Sequence, residues 1–113
     1  MAVSIKSLAR DQLPTAQADL YQAPAGATPK SAIVKNMRFV NVGSETATIN
    51  VWFKRGSDGT AFRILPKDMA IAPGQLVIEN EEVTMESDDR IQGQVNEGGT
   101  VDYVISGVER DVS

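Results

Sequence analysis

A chain of 113 residues that is 42% hydrophobic, 23% charged and only 5% aromatic has the make-up of one globular domain, its core built from Val, Ile, Leu, Met and Ala rather than from rings. With no cysteine it has neither disulfides nor thiolate metal sites, and with no histidine it lacks the commonest general base and zinc ligand. A formal charge of −4 argues against a phosphate-backbone partner, which requires clustered Lys and Arg.

No apolar run approaches the roughly 20 residues that cross a bilayer. Residues 1–19 have no apolar signal core, so the expectation is an unprocessed product of the cytoplasm with no nucleic-acid and no membrane partner. These residues read as a separate N-terminal arm or short helix: Ile5, Leu8 and Ala9 share a helical face, Ser4 is placed to cap it and Pro14 to stop it. Three small apolar contacts do not hold a helix alone, so the segment is expected to dock on its own domain or on a neighbour.

Residues 20–113 read as a β-sandwich domain. Asp19 to Ala23 opens it and Pro24-Ala25-Gly26 turns it. From Ala32 to Val42 a long strand places Ile33, Met37 and Phe39 on one face and Asn36 and Arg38 on the other, with Lys35 marking a bulge or a rim. After Asn41-Val42-Gly43-Ser44, the run Thr46 to Lys54 alternates Ile49, Val51 and Phe53 against Thr48, Asn50, Trp52 and Lys54, so the only tryptophan points away from the core.

Arg55-Gly56-Ser57-Asp58-Gly59 is a hairpin signal leading to Thr60–Leu65, and Pro66-Lys67-Asp68 breaks that run. Short strands follow at Met69–Ala72, Gln75–Glu79 and Val83–Glu86. The last two are Arg90–Asn96 and Thr100–Val108, where Val101, Tyr103 and Ile105 alternate with Asp102, Val104 and Ser106. About eight strands make an all-β, antiparallel, jelly-roll-like sandwich.

Chemistry is sparse in this pattern. A Ser without a base beside it is inert near neutral pH, so no catalytic residue and no cofactor is assigned; a hydrolase using paired carboxylates stays as a third reading. Glu79, Glu81, Glu82, Glu86, Asp88 and Asp89 raise a calcium hypothesis, weighed against a solvated rim because strand alternation sends successive carboxylates to opposite faces. Trp52 reads either as an interface anchor, with Arg38, Asn36, Asn50 and Lys54 as its polar rim if the two long strands pair, or as a ring lying across the strand face and covered by the N-terminal segment.

Five segments taken in order resemble a β-sandwich family common among virion proteins of tailed bacteriophages and their prophage relatives. They are Leu20 to Gly26, Asn41 to Ser44, Ile71 to Gln75, Met85 to Ile91 and Val104 to Glu109, covering about residues 20–109. In that family the turn before the Ile91-like strand usually carries Gly-Asp, and Asp88 stands here in place of the glycine.

The resemblance implies a virion structural protein without enzymatic activity. On it rests the expectation of a capsid cement or decoration protein, a homodimer or homotrimer that bridges major capsid subunits through Ile5 and Leu8 of the arm and through Arg38, Asn50, Trp52 and Lys54. The alternative is a tail, neck or fibre module contacting tail proteins or binding a host surface glycan, for which only Trp52, Tyr21 and Tyr103 are at hand as stacking platforms.

Overall fold

The structure is a computed structural model that describes residues 3–56 and 59–112; Ser57 and Asp58 of the expected hairpin lie outside the described residues. It is all-β, with two antiparallel sheets packed face to face. The first sheet runs β1 (Val3–Gln12), β10 (Val101–Asp111), β3 (Lys30–Asn41) and then β7 (Leu76–Glu79), with β8 (Val83–Met85) on the same edge of β3. The second runs β2 (Ala18–Gln22), β9 (Arg90–Val95), β4 (Ala47–Lys54) and then β5 (Ala61–Arg63), with β6 (Met69–Ile71) beside it on β4.

This order is a jelly roll: the chain crosses between the sheets at every step except from β4 into the β5–β6 strand beside it and within each broken strand, and the last strand returns to lie next to the first. Eight positions hold ten strand segments because two outer strands are each broken. Pro66 interrupts the run between β5 and β6, and the acidic Glu81-Glu82 turn separates β7 from β8.

Apolar residues on the inner phase of each strand fill the space between the sheets. Met37, Phe39, Ile49, Val51, Ile71, Met85, Ile91, Val95, Val101 and Ile105 are completely enclosed. Tyr21 spans the sandwich: its Oη donates to Glu109 Oε2 at 2.5 Å, linking the second sheet to the first. A register shift between Asp19 and Tyr21 lets two consecutive residues, Leu20 and Tyr21, both turn inward.

The N-terminal segment corrects the expectation of an arm or short helix over residues 1–19. Residues 3–12 form a long edge strand that pairs with β10 from Val3↔Arg110 to Gln12↔Asp102. The misleading helix-like spacing of Ile5, Leu8 and Ala9 comes from a bulge, because the register shifts between Ser7 and Ala9 and the extra residue, Leu8, resets the alternation. Leu8 and Ala9 pack against the core, whereas Ile5 is 87% exposed.

A second bulge sits where Lys35 interrupts β3, as its polar character suggested: Asn36 pairs with Ser106 but Val34 with Gly107. Its consequence corrects the expected face of Ile33. Ala32, Val34, Met37 and Phe39 are buried, while Ile33 falls on the outer face opposite Thr84 and Val108.

Gly107 is required at this bulge. A Cβ there would lie 2.1 Å from the carbonyl oxygen of Ile33, a backbone atom that has no room to move.

Asp88 has φ +73°, in the left-handed region, within the turn closed by Asp89 N–H donating to Glu86 O at 3.1 Å. That is the conformation a glycine would supply, and Asp adopts it more readily than most residues.

Candidate functional site

The two outer faces differ sharply, and the difference comes from residues on the outward phase of the strands. On the second sheet that phase is mostly polar, and many of its side chains bond one another. Gln17 Nε2 donates to Gln92 Oε1 at 2.8 Å, Gln92 Nε2 donates to Asp19 Oδ1 at 2.8 Å, and Arg90 bridges Asp19 and Asp88.

Asn50 exchanges hydrogen bonds with Asp68, its Nδ2 donating to Oδ1 at 3.0 Å and its Oδ1 accepting from the Asp68 N–H at 2.9 Å, and it also accepts from Arg63. Those bonds hold the broken β5–β6 segment down on β4.

Trp52 lies in the middle of this face, between Gln92 and Arg63 in register. As expected, it is outside the core between the sheets, but it is only 8% exposed. The Arg63 guanidinium covers it, 5.2 Å from the ring centroid, a cation–π contact across neighbouring strands. The expectation of an open tryptophan anchor is therefore corrected: the ring's area is already spent within the chain.

The proposed rim is also divided. β3 and β4 belong to different sheets and do not pair, so Arg38 lies on the opposite side of the molecule from Asn50, Trp52 and Lys54.

On the first sheet the outward phase is apolar and basic. Register places Ile5, Val108, Ile33 and Thr84 in one row, and Arg10, Val104, Arg38 and Ile78 in another. Gln12, Asp102, Val40 and Leu76 form a third. Ile5, Leu76 and Ile78 are three of the exposed large apolar side chains, whereas the second sheet exposes Phe62 at its β5 edge. Isolated exposed apolar groups are ordinary, but a set sharing one sheet face marks an interaction surface.

The arginines divide in the same way. Arg55, Arg63 and Arg90 have carboxylate, amide or ring partners, whereas Arg10, Arg38 and Arg110, all on the outer side of the first sheet, make no ion pair or side-chain hydrogen bond among the described residues. Arg10 and Arg38 flank Val104 about 10 Å apart, two strand spacings.

Of the predicted site residues, the structure thus brings together Ile5 and Arg38. Leu8 serves the core. The surface residues that sequence reasoning missed are Arg10, Ile33, Val104, Val108 and Arg110. Val104 and Val108 left one signal, as apolar residues on the phase of the last strand that otherwise carries Asp102 and Ser106.

The acidic stretch disperses into pairings: Glu82 with Lys35, Glu86 and Asp89 with Arg55, and Asp88 with Arg90 and Gln22. Among the described residues no group of three or more His, Cys, Asp or Glu is placed to hold a metal ion, and no helix is long and apolar enough to cross a membrane. Tyr21 and Tyr103 are buried with Trp52, so none of the three aromatics named for glycan stacking presents its ring face to solvent.

No protein-family model and no curated protein matches the chain. Solved structures match it in fold. A chain of the infectious bursal disease virus Gx strain aligns with TM-score 0.58 and 13% identity over 96% of this chain and 32% of its own length. A chain of the T13 IBDV viral particle aligns with TM-score 0.59 and 9% identity over 97% and 31%. A chain from Bacillus endospore appendages, a family of disulfide-linked pili, aligns with TM-score 0.54 and 13% identity over 98% and 89%. At these identities the likeness is one of fold. The chain spans about a third of the length of the viral chains and nearly the whole of the pilus chain.

Proposed function

We propose that this chain is a non-enzymatic structural protein of a virus particle, a cement or decoration protein of a tailed bacteriophage that bridges major capsid subunits. The observation that carries the reading is the asymmetry of the outer faces: one is largely tied up in its own hydrogen bonds, the other keeps exposed apolar side chains and arginines that make no ion pair among the described residues. Such a surface suits a protein partner that is apolar in part and bears carboxylates opposite Arg10 and Arg38. The jelly-roll order and the likeness to chains of viral particles support the same reading.

The mechanism is mass action. A subunit that binds the assembled shell but not its separated parts lowers the free energy of the shell by an amount set by its concentration over its Kd. The first sheet replaces the Trp52 face as the contact, with β1 contributing Ile5 and Arg10 as part of that sheet.

The test is co-sedimentation with capsids stripped of accessory proteins, comparing the wild-type chain with R10E/R38E and with K54E/K67E on the other side. Saturable binding lost only in R10E/R38E is the expected result. Binding unaffected by R10E/R38E but lost in K54E/K67E would move the contact to the second sheet, and no binding to capsids would sink the cement reading.

One observation favours a second reading, a repeating subunit of a fibre or tail. The chain is nearly coextensive with the pilus chain it matches, whereas it corresponds to only part of each viral chain. Binding to purified tails but not to capsids would select it.

A further inference from the structure

The first sheet carries a groove at one end and a projecting turn at the other. The groove, about 250 Å³, is lined by Ser31, Ala32, Ile33, Thr84, Val108 and Arg110, an apolar floor with one cation at its rim. Arg110 has no ion-pair partner among the described residues.

The turn follows β3 and presents Val42, which is 51% exposed, together with the exposed Glu45, which likewise makes no ion pair among the described residues. It is held by its neighbours. Val42 N–H donates to Thr100 O at 3.0 Å, Gly43 N–H donates to Asn41 Oδ1 at 2.9 Å, and the buried Asn41 donates through Nδ2 to Glu45 O at 2.8 Å.

An exposed valine on a turn fixed by three backbone and side-chain anchors is a preformed knob, so docking it costs little ordering entropy. Val42, just beyond the end of β3, lies nine positions after Ile33, about 30 Å along the strand, so one molecule does not fill its own groove with its own knob.

We propose that the groove receives the Val42–Glu45 turn of a second copy of this chain, Val42 on the Ile33 and Val108 floor and the Glu45 carboxylate on the Arg110 guanidinium. The occupant is argued from complementarity: a cation beside an apolar recess and a carboxylate beside an exposed apolar side chain, both on one chain and neither in an ion pair among the described residues. A two-fold stacking of first sheets is disfavoured because it sets the unpaired arginines of one copy against those of the other. The knob-in-groove contact is heterologous. Each copy donates one knob and accepts one, so the contact propagates into a filament or closes into a ring.

The inference rests on reading the chain as a building block rather than an enzyme. It is tested on the purified full chain alone, so its failure would leave particle binding to be decided separately. Sedimentation velocity up to about 1 mM is expected to show the wild-type mass rising with concentration. V42D and T84R, both at exposed positions, are each expected to remain monomeric with unchanged thermal unfolding.

Mixed, V42D and T84R are expected to form a one-to-one heterodimer that grows no further, since one keeps its groove and the other its knob. The charge swap E45R/R110E is expected to restore the association that E45R or R110E alone loses. A wild-type chain that stays monomeric at the highest concentration, single variants that still associate, or a mixture that yields no heterodimer would each overturn the proposal.

Discussion

Tyr21 and Glu109 meet across the interior of the sandwich, a phenol from the second sheet donating a 2.5 Å hydrogen bond to a carboxylate from the first, both nearly sealed from solvent. A charged acceptor inside an apolar layer strengthens such a bond and makes its loss costly. Tyr21→Phe is expected to lower stability by about 2 kcal/mol, because it takes this donor from a buried carboxylate while leaving the ring in place. Urea denaturation of the two chains measures the difference.

The same pair sets an alkaline limit. Burial, followed by the hydrogen bond to Glu109 and its negative charge, pushes the Tyr21 phenol well above its ordinary value, and burial pushes Tyr103 in the same direction, helped by Asp11. A folded-state value above the unfolded one means that the unfolded chain loses its proton first. The contribution is complete below about pH 10 and is lost as pH rises towards the folded-state values. Urea midpoints are expected to be level near neutrality and to fall above about pH 10, less steeply in Tyr21→Phe.

Trp52 is expected to behave as a stability residue. Trp52→Ala removes a ring enclosed under Arg63 and should cost about 3 kcal/mol. As the only tryptophan, it also reports its own cover: emission should be blue-shifted and poorly quenched by acrylamide in the folded wild type, and Arg63→Ala should shift it to the red.

Gly107→Ala places a methyl group against the Ile33 carbonyl, so the β3–β10 ladder must open locally. A loss of about 3 kcal/mol, at the upper end for overpacking, is expected in thermal or urea unfolding.

Asp88 holds two roles that substitution separates. Its Oδ1 accepts from Gln22 at 2.7 Å and from Arg90 at 3.2 Å, and its backbone occupies the left-handed region. Asp88→Ala loses the acceptors and keeps the backbone strain, for an expected cost of about 2 kcal/mol; Asp88→Gly relieves the strain and should cost less than half as much. The ranking of the two unfolding midpoints is the check.

Alternation made most of the fold legible. Ile49, Val51 and Phe53 against Thr48, Asn50, Trp52 and Lys54 gave the correct two sides of β4, and Lys35 and Asp88 announced a bulge and a left-handed turn by being out of place. What stayed hidden follows from two physical facts. A bulge inserts one residue and reverses every face beyond it, which is how Leu8 disguised a strand as a helix and Lys35 moved Ile33 outward. Alternation also says which side of a strand a residue takes but not which strand lies next to it, so Arg38 and Trp52 were expected together although their strands occupy different sheets. Arg63, eleven residues beyond Trp52, gave no sign in sequence that it would cover the ring.

The broken outer strands have a consequence for life at high concentration. β5, β6 and β8 are three residues long and β7 is four, and the ten-residue β1 is interrupted by its own bulge. Edges of three to five residues, and a longer one kinked by a bulge, offer few consecutive donors and acceptors to template a growing cross-β stack. The chain can therefore be crowded against copies of itself without its sheets annealing, which leaves side-chain surfaces, rather than bare backbone, to decide what it joins.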